Sequence, residues 1–381
     1  MPGVLEKRRQ FLQLMKRFTL EEGHFTVTDI ARKAGCPRST AQDWINRLLS
    51  ERCIMLLEGK KGRQAARYAA TSAIIRSACK RIFTTLDGEW VQIYHECLSA
   101  SSAAFCEHHH RLAGGALCEV IRDGTLLREC GRLGEGDADI GLYPKPSVGV
   151  LEIRKEAGNA LVQRIRCVGG PAYSLTEMMG QADGVTRVDL IRSEGGLVEG
   201  EVITRALTYL AIGIDDTDSS MEGATFALAI ALLQFISRME GVMPIGHQVV
   251  ILNPDLPEKT VGNYASFIEV AIEPEIFGDL QDRVIHFVSD GSFSPEWGIA
   301  FKTGFSVTPE LRDYLAGARG RIVTTEEAER VAEENGIILH GGRGKIGALA
   351  AVAAVGLSTP VLMDPEGRME ARYPASSRGS R

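Results

Sequence analysis

Apolar positions recur at different spacings along this chain, and the changes in spacing divide it into parts. Helical spacing dominates residues 1–72, mixed helix and strand patterns fill residues 73–200, and strands alternate with helices over residues 201–365. Residues 366–381 are small and polar, which predicts a disordered tail. The pattern therefore predicts a multidomain protein of mixed α+β and α/β class, with a central α+β domain of unknown role.

Residues 1–72 have the pattern of a winged helix-turn-helix. Helices are predicted at residues 5–18 and 27–34, and a third begins at Ser39, where Gln42 gives capping-box spacing. A hairpin with a lysine-rich turn follows. Polar groups on the third helix and the turn are able to reach bases or phosphates: Arg38, Gln42, Asp43, Asn46, Arg47, Lys60, Lys61, Arg63 and Arg67. This predicts binding of DNA or RNA, and a dimerisation or docking module with solvated charges is the alternative.

Cysteine and histidine are concentrated within a short stretch of the middle part. Thiolate and imidazole are the usual ligands of zinc and of iron–sulfur centres. No Cys-x-x-Cys pair occurs, however, and the intervals between cysteines match no common metal motif. Buried free thiols and a zinc or iron site therefore both stay open, and the ligands of such a site would be Cys97, Cys106 and Cys118 with one of His108, His109 and His110.

The most specific pattern is an acidic turn between two apolar segments. Residues 210–214 are apolar, Asp215, Asp216 and Asp218 follow, and a second apolar run starts at Phe226. Three neighbouring carboxylates exceed what a helix cap needs, and they repel one another unless a cation lies among them. The turn therefore favours a magnesium site that holds nucleotide phosphates, with an acidic N-cap as the alternative.

A glycine-rich basic loop, Gly342-Arg343-Gly344-Lys345, precedes a helix of small residues near the end of the same part. Glycines let a backbone approach a ligand closely, and a helix N-terminus offers free N–H groups. The loop is not a Walker A motif, because no Gly-Lys-Ser/Thr ending is present. It predicts phosphate binding, and a tight turn with a solvated basic pair is the alternative.

Three segments, in this order, resemble the archaeal tRNA-isoleucine agmatidine synthetases, whose catalytic domain uses ATP to activate a cytidine in RNA. They are residues 213–219 with the acidic turn, residues 252–263 with Asn-Pro and Lys-Thr, and residues 342–351 with Gly-Arg-Gly. The order Asp-Asp-Thr-Asp…Glu-Gly-Ala-Thr resembles methanogenesis marker protein 11 more closely still. That archaeal family shares the catalytic module of the synthetases.

The resemblance implies an ATP- and Mg²⁺-dependent enzyme of archaea that transfers a phosphoryl group and activates an RNA or a small-molecule acceptor. It implies catalytic roles for Asp215, Asp216, Asp218 and Thr225, with the three aspartates holding magnesium. The remaining matched positions are implied to contact ATP: Thr217, Ser219, Lys259, Asn263, Gly342, Arg343, Gly344 and Lys345.

Departures from the synthetases leave a second function open. The chain has Ala224 and Phe226 where those enzymes carry cysteine and a second threonine, so a step that needs the second threonine is not carried over. No segment after Leu357 resembles their oligonucleotide-binding barrel or zinc ribbon. The competing prediction is a transcriptional regulator whose winged helix binds DNA and whose C-terminal part senses a nucleotide without turnover.

Composition and charge limit the classes of protein to which this chain can belong. The 381 residues are 44% hydrophobic and carry a formal net charge of -6, so any contact with nucleic acid must come from a local basic patch. No apolar run is long enough to span a membrane, no signal-like segment is present, and the eight cysteines are irregularly spaced. This predicts a cytoplasmic protein in a reducing compartment, and its oligomeric state is open, with a homodimer among the alternatives.

Overall fold

The computed structural model describes residues 4–62, 64–71, 73, 78–169, 179–194, 196–257, 259 and 262–366. The predicted tail lies outside these residues except for Glu366. Two compact units, Met1–Ser77 and Ala78–Arg381, make up the chain. None of the helices within the described residues is long and apolar enough to cross a membrane.

The first unit contains three helices and a hairpin. The helices are α1 (Val4–Glu22), α2 (Val27–Ala34) and α3 (Arg38–Ser50), and the strands are β1 (Ile54–Glu58) and β2 (Arg67–Ala70). Apolar side chains spaced for one face of each helix form its core, among them Phe11, Met15, Ile30, Ile45 and Leu48. The order of elements is the predicted one, while the winged-helix assignment itself stays a prediction.

The start of α3 differs from its prediction. The helix begins at Arg38, and its N-cap is Pro37, with φ of -54° and no side-chain cap. Proline presets a helical φ but has no side-chain acceptor, so Ser39 already lies within the first turn. The predicted capping box between Ser39 and Gln42 is therefore wrong.

The second unit places all of its described strands in one 13-stranded sheet. Its elements follow the order β3 (Cys79–Asp87), β4 (Trp90–Cys97), α4 (Ala100–Ala113), β5 (Leu117–Asp123), β6 (Leu126–Arg132), β7 (Gly134–Glu135), β8 (Val148–Glu156), β9 (Ala160–Val168), β10 (Val185–Glu194), β11 (Leu197–Asp215), α5 (Thr225–Ile236), β12 (Val242–Ile251), β13 (Tyr264–Ile272), α6 (Phe277–Gly291), β14 (Gly298–Thr303), α7 (Pro309–Gly320), α8 (Thr325–Glu334), β15 (Ile338–Gly341), α9 (Lys345–Ala353) and α10 (Thr359–Leu362).

Strand β11 joins the two halves of this sheet. Residues 197–205 pair antiparallel with β9, and β10 lies against the same end of the strand. Residues 206–207 run parallel to β3, and residues 208–215 lie between β13 and β14. The structure thus differs from the predicted boundary at residue 200, because one uninterrupted strand of 19 residues crosses it.

Helices cover both faces of the sheet where β11 ends. Successive side chains of a strand point to opposite faces, so Leu210 and Ile212 pack with α5 and α6 while Tyr209 and Ala211 pack with α7, α8 and α9. Gly213 permits the close approach of α9, since an added Cβ would stand 2.1 Å from the Ala348 carbonyl oxygen. This three-layer packing brings the last residue of β11 beside the start of α9.

Candidate functional site

A cavity of about 650 Å³ opens at the end of β11, beside the first residues of α5 and α9. Eight of the residues predicted for the nucleotide and metal site line it: Asp215, Asp216, Asp218, Thr225, Lys259, Asn263, Arg343 and Gly344. Segments far apart in the sequence thus meet where the sheet topology ends one strand and starts two helices.

Asp215 ends β11 and lies directly against α9. The contact is close enough that a Cβ added to Gly347 would stand 1.7 Å from the Asp215 Oδ2 atom. Burial raises the pKa of Asp215 to about 8, and the negative charges of Asp216 and Asp218 act in the same direction. Without a cation, Asp215 is therefore mostly protonated at neutral pH.

Asp216 adopts a left-handed backbone conformation with φ of 55°. Its Oδ1 accepts a hydrogen bond from the Ser294 hydroxyl at 3.4 Å. Burial and the nearby Asp218 raise its pKa, whereas the Arg343 guanidinium opposes that rise. The positive charge of Arg343 therefore stabilises the ionised form of Asp216 in the acidic turn.

A chain of hydroxyl groups connects the acidic turn to α5. The Thr217 hydroxyl donates to Thr225 Oγ1 at 3.1 Å, and the Thr225 hydroxyl donates to Asp218 Oδ1 at 3.0 Å. The Ser219 Oγ atom accepts the backbone N–H of Glu222 at 3.0 Å. In correction of the prediction, Thr217 and Ser219 hold the turn and are not among the residues that line the cavity.

The three aspartates do not form a complete set of metal ligands by themselves. In the part of the chain that the structure describes, they do not bring one oxygen each within 4.8 Å of one another. Asp215 lies against α9 while Asp218 accepts from Thr225, so the carboxylates point to different partners. The magnesium site predicted at the three aspartates is therefore not formed by these side chains alone, and it stays a prediction. The oxygen donors still fit Mg²⁺, which proteins commonly hold through one or two carboxylates and substrate phosphates.

Backbone amides of the glycine-rich loop are already paired. The N–H of Gly342 donates to the Trp297 carbonyl at 2.7 Å, that of Arg343 to Glu296 Oε2 at 2.9 Å, and that of Gly344 to the Glu296 carbonyl at 2.7 Å. These three amides are therefore not free to donate to an anion, and phosphate binding by the loop stays a prediction. Gly342 and Gly344 instead permit close approach to the segment before β14.

The basic residues of this loop have different surroundings. Arg343 lines the cavity, but Lys345 does not, and its Nζ lies 2.6 Å from Glu329 Oε1 on α8. Lys345 is the first residue of α9, so the turn of the helix directs it toward α8. This corrects its predicted contact with phosphate.

A second loop closes the opposite wall of the cavity. Lys259 lies at this wall and donates to the Pro254 carbonyl. The Asn263 Nδ2 donates to the Asn253 carbonyl at 3.0 Å, which holds the two ends of the loop together. The structure thus brings Lys259 and Asn263 to the cavity as predicted, with part of their hydrogen-bonding capacity used locally.

Four residues that the sequence did not single out also line the cavity. Phe226, Tyr264 and Ile322 are 54%, 51% and 67% exposed, and Arg321 pairs with Glu327 at 2.8 Å. Exposed apolar groups beside a polar pocket provide surfaces on which an aromatic base can stack. Phe226 lies in α5 and Tyr264 in β13, while Arg321 and Ile322 lie between α7 and α8, so no local sequence signal marks the four as a group.

The predicted cysteine ligands separate in the structure. Cys97 and Cys106 place their Sγ atoms within 4.8 Å of each other and of a ring nitrogen of His95. Cys118 is exposed on β5, and its inclusion is wrong. His108 is exposed, His109 Nδ1 accepts the Ser147 N–H at 3.1 Å, and His110 Nδ1 lies 2.7 Å from Glu129 Oε1.

Polar residues of α3 are partly engaged within the first unit. The Gln42 amide donates to Asn46 Oδ1 at 2.9 Å, and Arg47 pairs with Glu51 at 3.0 Å. Arg38 is exposed. Exposed pairs of this kind are weak, so these side chains can be recruited by another partner.

The hairpin tip carries the remaining basic residues. Lys60 and Lys61 are exposed, and Arg67 pairs with Glu58 at 3.4 Å. Arg63 lies outside the described residues. The two lysines of the predicted basic cluster are thus exposed at the hairpin, whereas Arg67 forms an ion pair with Glu58.

The raised pKa of Asp215 predicts a pH-dependent stability of the metal-free protein. The folded-state value is about 8 and the ordinary value is 3.8, so between them the folded state holds a proton that the unfolded state lacks. The contribution of this group to stability therefore falls as pH rises through that window, by on the order of a few kcal/mol.

Denaturant unfolding in excess chelator at about pH 5 and about pH 8 checks this expectation. Asp215→Asn should lose less stability than wild type over the interval, while Asp282→Asn, at an exposed position on α6, should behave as wild type. Equal losses in wild type and Asp215→Asn would contradict the assignment.

Part of the chain around the cavity resembles known proteins. Residues 211–303, from within β11 through β14, match the family model of the TiaS TCKD domain. The chain is 34% identical over 155 residues to TiaS of Pyrobaculum neutrophilum, a 2-agmatinylcytidine synthetase of an isoleucine tRNA, and the match covers 38% of this chain and 35% of that protein. The chain is thus related to these synthetases through its C-terminal module, as predicted.

Two further comparisons define the extent of the relation. An uncharacterised protein of Methanocaldococcus jannaschii is 29% identical over 271 residues, which is 70% of this chain and 89% of that protein. A crystal structure of TiaS in complex with its isoleucine tRNA and ATP is 31% identical, with a TM-score of 0.35, over 38% of this chain and 36% of the other. The chain matches only about a third of the length of the synthetases. The likeness to methanogenesis marker protein 11 stays a prediction.

Proposed function

We propose that this protein is an ATP-dependent phosphoryl-transfer enzyme that acts on RNA. The observation that supports it most is the cavity at the end of β11, because the acidic turn and Arg343 line the same space within a TiaS-like module. Carboxylates that hold a cation and a guanidinium beside them divide the charge of a triphosphate between them. The relatives named above as synthetases of a modified tRNA favour RNA over the DNA-binding regulator.

The residues of the acidic turn and the basic loop that line the cavity have separate roles in the proposed binding of ATP. Asp216 and Asp218, joined by Asp215 once it loses its proton, would hold Mg²⁺, which neutralises phosphate charge when bound. Arg343 binds a phosphate oxygen from the other side. The Thr225 hydroxyl, at the first turn of α5, donates to Asp218 Oδ1 and would hold that carboxylate in place at the cavity wall. Burial of the turn strengthens each of these interactions.

The rim of the cavity supports a nucleotide acceptor. Phe226, Tyr264 and Ile322 offer exposed apolar surface, and base stacking on an aromatic side chain contributes about 1–3 kcal/mol per base. A cytidine of tRNA, the acceptor implied by the resemblance, is one such base. The acceptor is therefore proposed to be a base of RNA, with a small molecule as the alternative outcome.

Phosphoryl transfer from γ-labelled ATP tests the proposal. Purified protein is incubated with Mg²⁺, labelled ATP and archaeal tRNA, and label is followed in free phosphate, pyrophosphate and RNA. We expect turnover that RNA stimulates. Binding of ATP without any turnover, with or without RNA, would contradict the enzyme and favour a nucleotide sensor.

The hairpin of the first unit is proposed to contribute to RNA affinity. Replacement of Lys60 and Lys61 by alanine should weaken binding to all RNA sequences alike and lower the salt dependence of log K by about one per lost phosphate contact. Filter binding across a range of salt concentrations measures both quantities. Lys16→Ala with Lys33→Ala, on α1 and α2, is the matched control. The hairpin has no such role if its variant and the control give the same slope.

A further inference from the structure

A second cavity, of about 430 Å³, lies among β4, α4 and their neighbours, and its lining shares no residue with the cavity at the end of β11. Cys79, His95, Cys106 and His110 contribute to its wall. Cys97 lies behind them and is 2% exposed. The proposed ATP chemistry uses none of these side chains.

The strand pairing explains why these residues meet. Cys79 and Cys97 are direct partners in the antiparallel ladder of β3 and β4. His95 precedes Cys97 by two positions, so both side chains point to the same face of the sheet. Helix α4 packs on that face and brings Cys106 to it. Three elements therefore converge on one point.

Distances within the cluster have the scale of a coordination sphere. The Nε2 atom of His95 lies 2.8 Å from Cys79 Sγ and 3.8 Å from Cys97 Sγ, and the ligand atoms of His95, Cys97 and Cys106 lie within 4.8 Å of one another. Sulfur and nitrogen ligands of one tetrahedral zinc ion stand about 3.5 Å apart. The Cys97 distance agrees with this spacing. The Cys79 Sγ atom lies close to His95 but is not one of the three mutually close ligand atoms, so the Cys79 side chain must move toward Cys97 and Cys106 to join them.

We propose that Cys79, His95, Cys97 and Cys106 bind one zinc ion through their three Sγ atoms and the Nε2 atom of His95. Thiolate and imidazole donors select zinc over magnesium or calcium, and four of them complete a tetrahedral structural site. The three thiol protons pass to solvent on binding. The second cavity provides the route by which the ion reaches partly exposed Cys79 and Cys106.

The neighbouring pair of His110 and Glu129 fits this environment. His110 Nδ1 lies 2.7 Å from Glu129 Oε1, and both side chains are at least 96% buried. His110 also contributes to the wall of the second cavity, so the pair lies beside the proposed ion. The ion would join α4 to the β3–β4 hairpin, so its loss should loosen this half of the sheet.

Elemental analysis of protein purified anaerobically tests the site. We expect about one equivalent of zinc in wild type and less than about a tenth in Cys97→Ser and Cys106→Ser. Two matched controls should keep the metal: Cys167→Ser, at a buried thiol outside the cluster, and Cys118→Ser, at an exposed one. Loss of zinc from Cys167→Ser as well would indicate general unfolding. Far-ultraviolet circular dichroism distinguishes such unfolding from loss of a metal ligand in a folded protein.

Cobalt substitution of the wild-type chain keeps the test independent of variants that fail to fold. Zinc is removed with a chelator, and Co²⁺ alone is added under anaerobic conditions. Thiolate-to-cobalt charge-transfer bands and the intense ligand-field bands of a tetrahedral site are expected, together with recovery of the melting temperature that chelation lowers. If the wild-type protein is purified without zinc and also gives no such bands when Co²⁺ is added, the proposal is overturned. The cluster would then be a hydrogen-bonded group of thiols and imidazole.

Discussion

Asp216→Asn should abolish Mg²⁺-dependent ATP binding while the protein stays folded. Asparagine keeps the shape of the side chain and tolerates the left-handed conformation that Asp216 adopts at φ 55°. Its loss of charge removes a cation ligand and also relieves repulsion with Asp218. We expect affinity for Mg-ATP to fall at least about thirtyfold, which corresponds to about 2 kcal/mol.

Titration calorimetry of ATP with and without Mg²⁺, alongside thermal melts, measures both halves of this expectation. Asp282→Asn on α6 removes a charge from an exposed position outside the cavity and should bind as wild type does. Unchanged affinity in Asp216→Asn with a normal melt would show that the acidic turn only caps α5. The proposed enzymatic function would then lose its main support, whereas the zinc proposal would be unaffected.

Local patterns predicted the elements that surround the site. The apolar run at residues 210–214 lies in β11, and the run from Phe226 lies in α5. Thr324 and Glu327 have capping-box spacing, and Thr324 caps α8 by accepting the Glu327 N–H at 3.2 Å. Each of these signals depends on residues within one turn or one strand, so the sequence contains all that is needed to identify them.

The extent of β11 was not predictable in the same way. Its first half carries Glu199 and Glu201, which interrupt the apolar pattern of the strand, and the predicted boundary at residue 200 lies between them. In the fold, Glu199 pairs with Arg164 and Arg166 on β9. Buried or half-buried charges are allowed in a strand when a neighbouring strand supplies partners. That partnership depends on register, which the sequence of one strand does not reveal.

The same dependence on the fold separates the predicted site residues that line the cavity from those that do not. The carboxylates, Arg343 and Thr225 belong to the ends of elements, and the topology of the sheet brings those ends together. The glycine-rich loop was predicted to bind phosphate, but its Arg343 and Gly344 amides donate to Glu296, which lies 47 positions before Arg343 in the chain. His95 and Cys79 were missed for a similar reason, since only the β3–β4 ladder and α4 place them beside Cys97 and Cys106. The spacing of residues within one segment of the sequence does not predict contacts between distant segments such as these.

The second large effect is expected from a single methyl group at Gly347. An added Cβ would stand 1.7 Å from Asp215 Oδ2 and 2.5 Å from the carboxyl carbon, so the carboxylate must leave its place beneath α9. Gly347→Ala should therefore abolish Mg-ATP binding as fully as loss of Asp215 does. It should also destabilise the protein by about 1–3 kcal/mol, the usual cost of overpacking a buried contact.

A double-mutant cycle attributes this cost to one contact. If Gly347→Ala acts by displacing the Asp215 carboxylate, the same substitution in an Asp215→Ala background should cost far less stability, because the clashing oxygens are gone. Gly278→Ala supplies the control, since that glycine begins α6 and an added Cβ there meets no atom within 4 Å. It should bind ATP normally and melt at or slightly above the wild-type temperature. If Gly347→Ala lowers the free energy of unfolding equally in both backgrounds, the added methyl group clashes with α9 and not with Asp215. The close fit between the acidic turn and α9 would then not be what positions the Asp215 carboxylate.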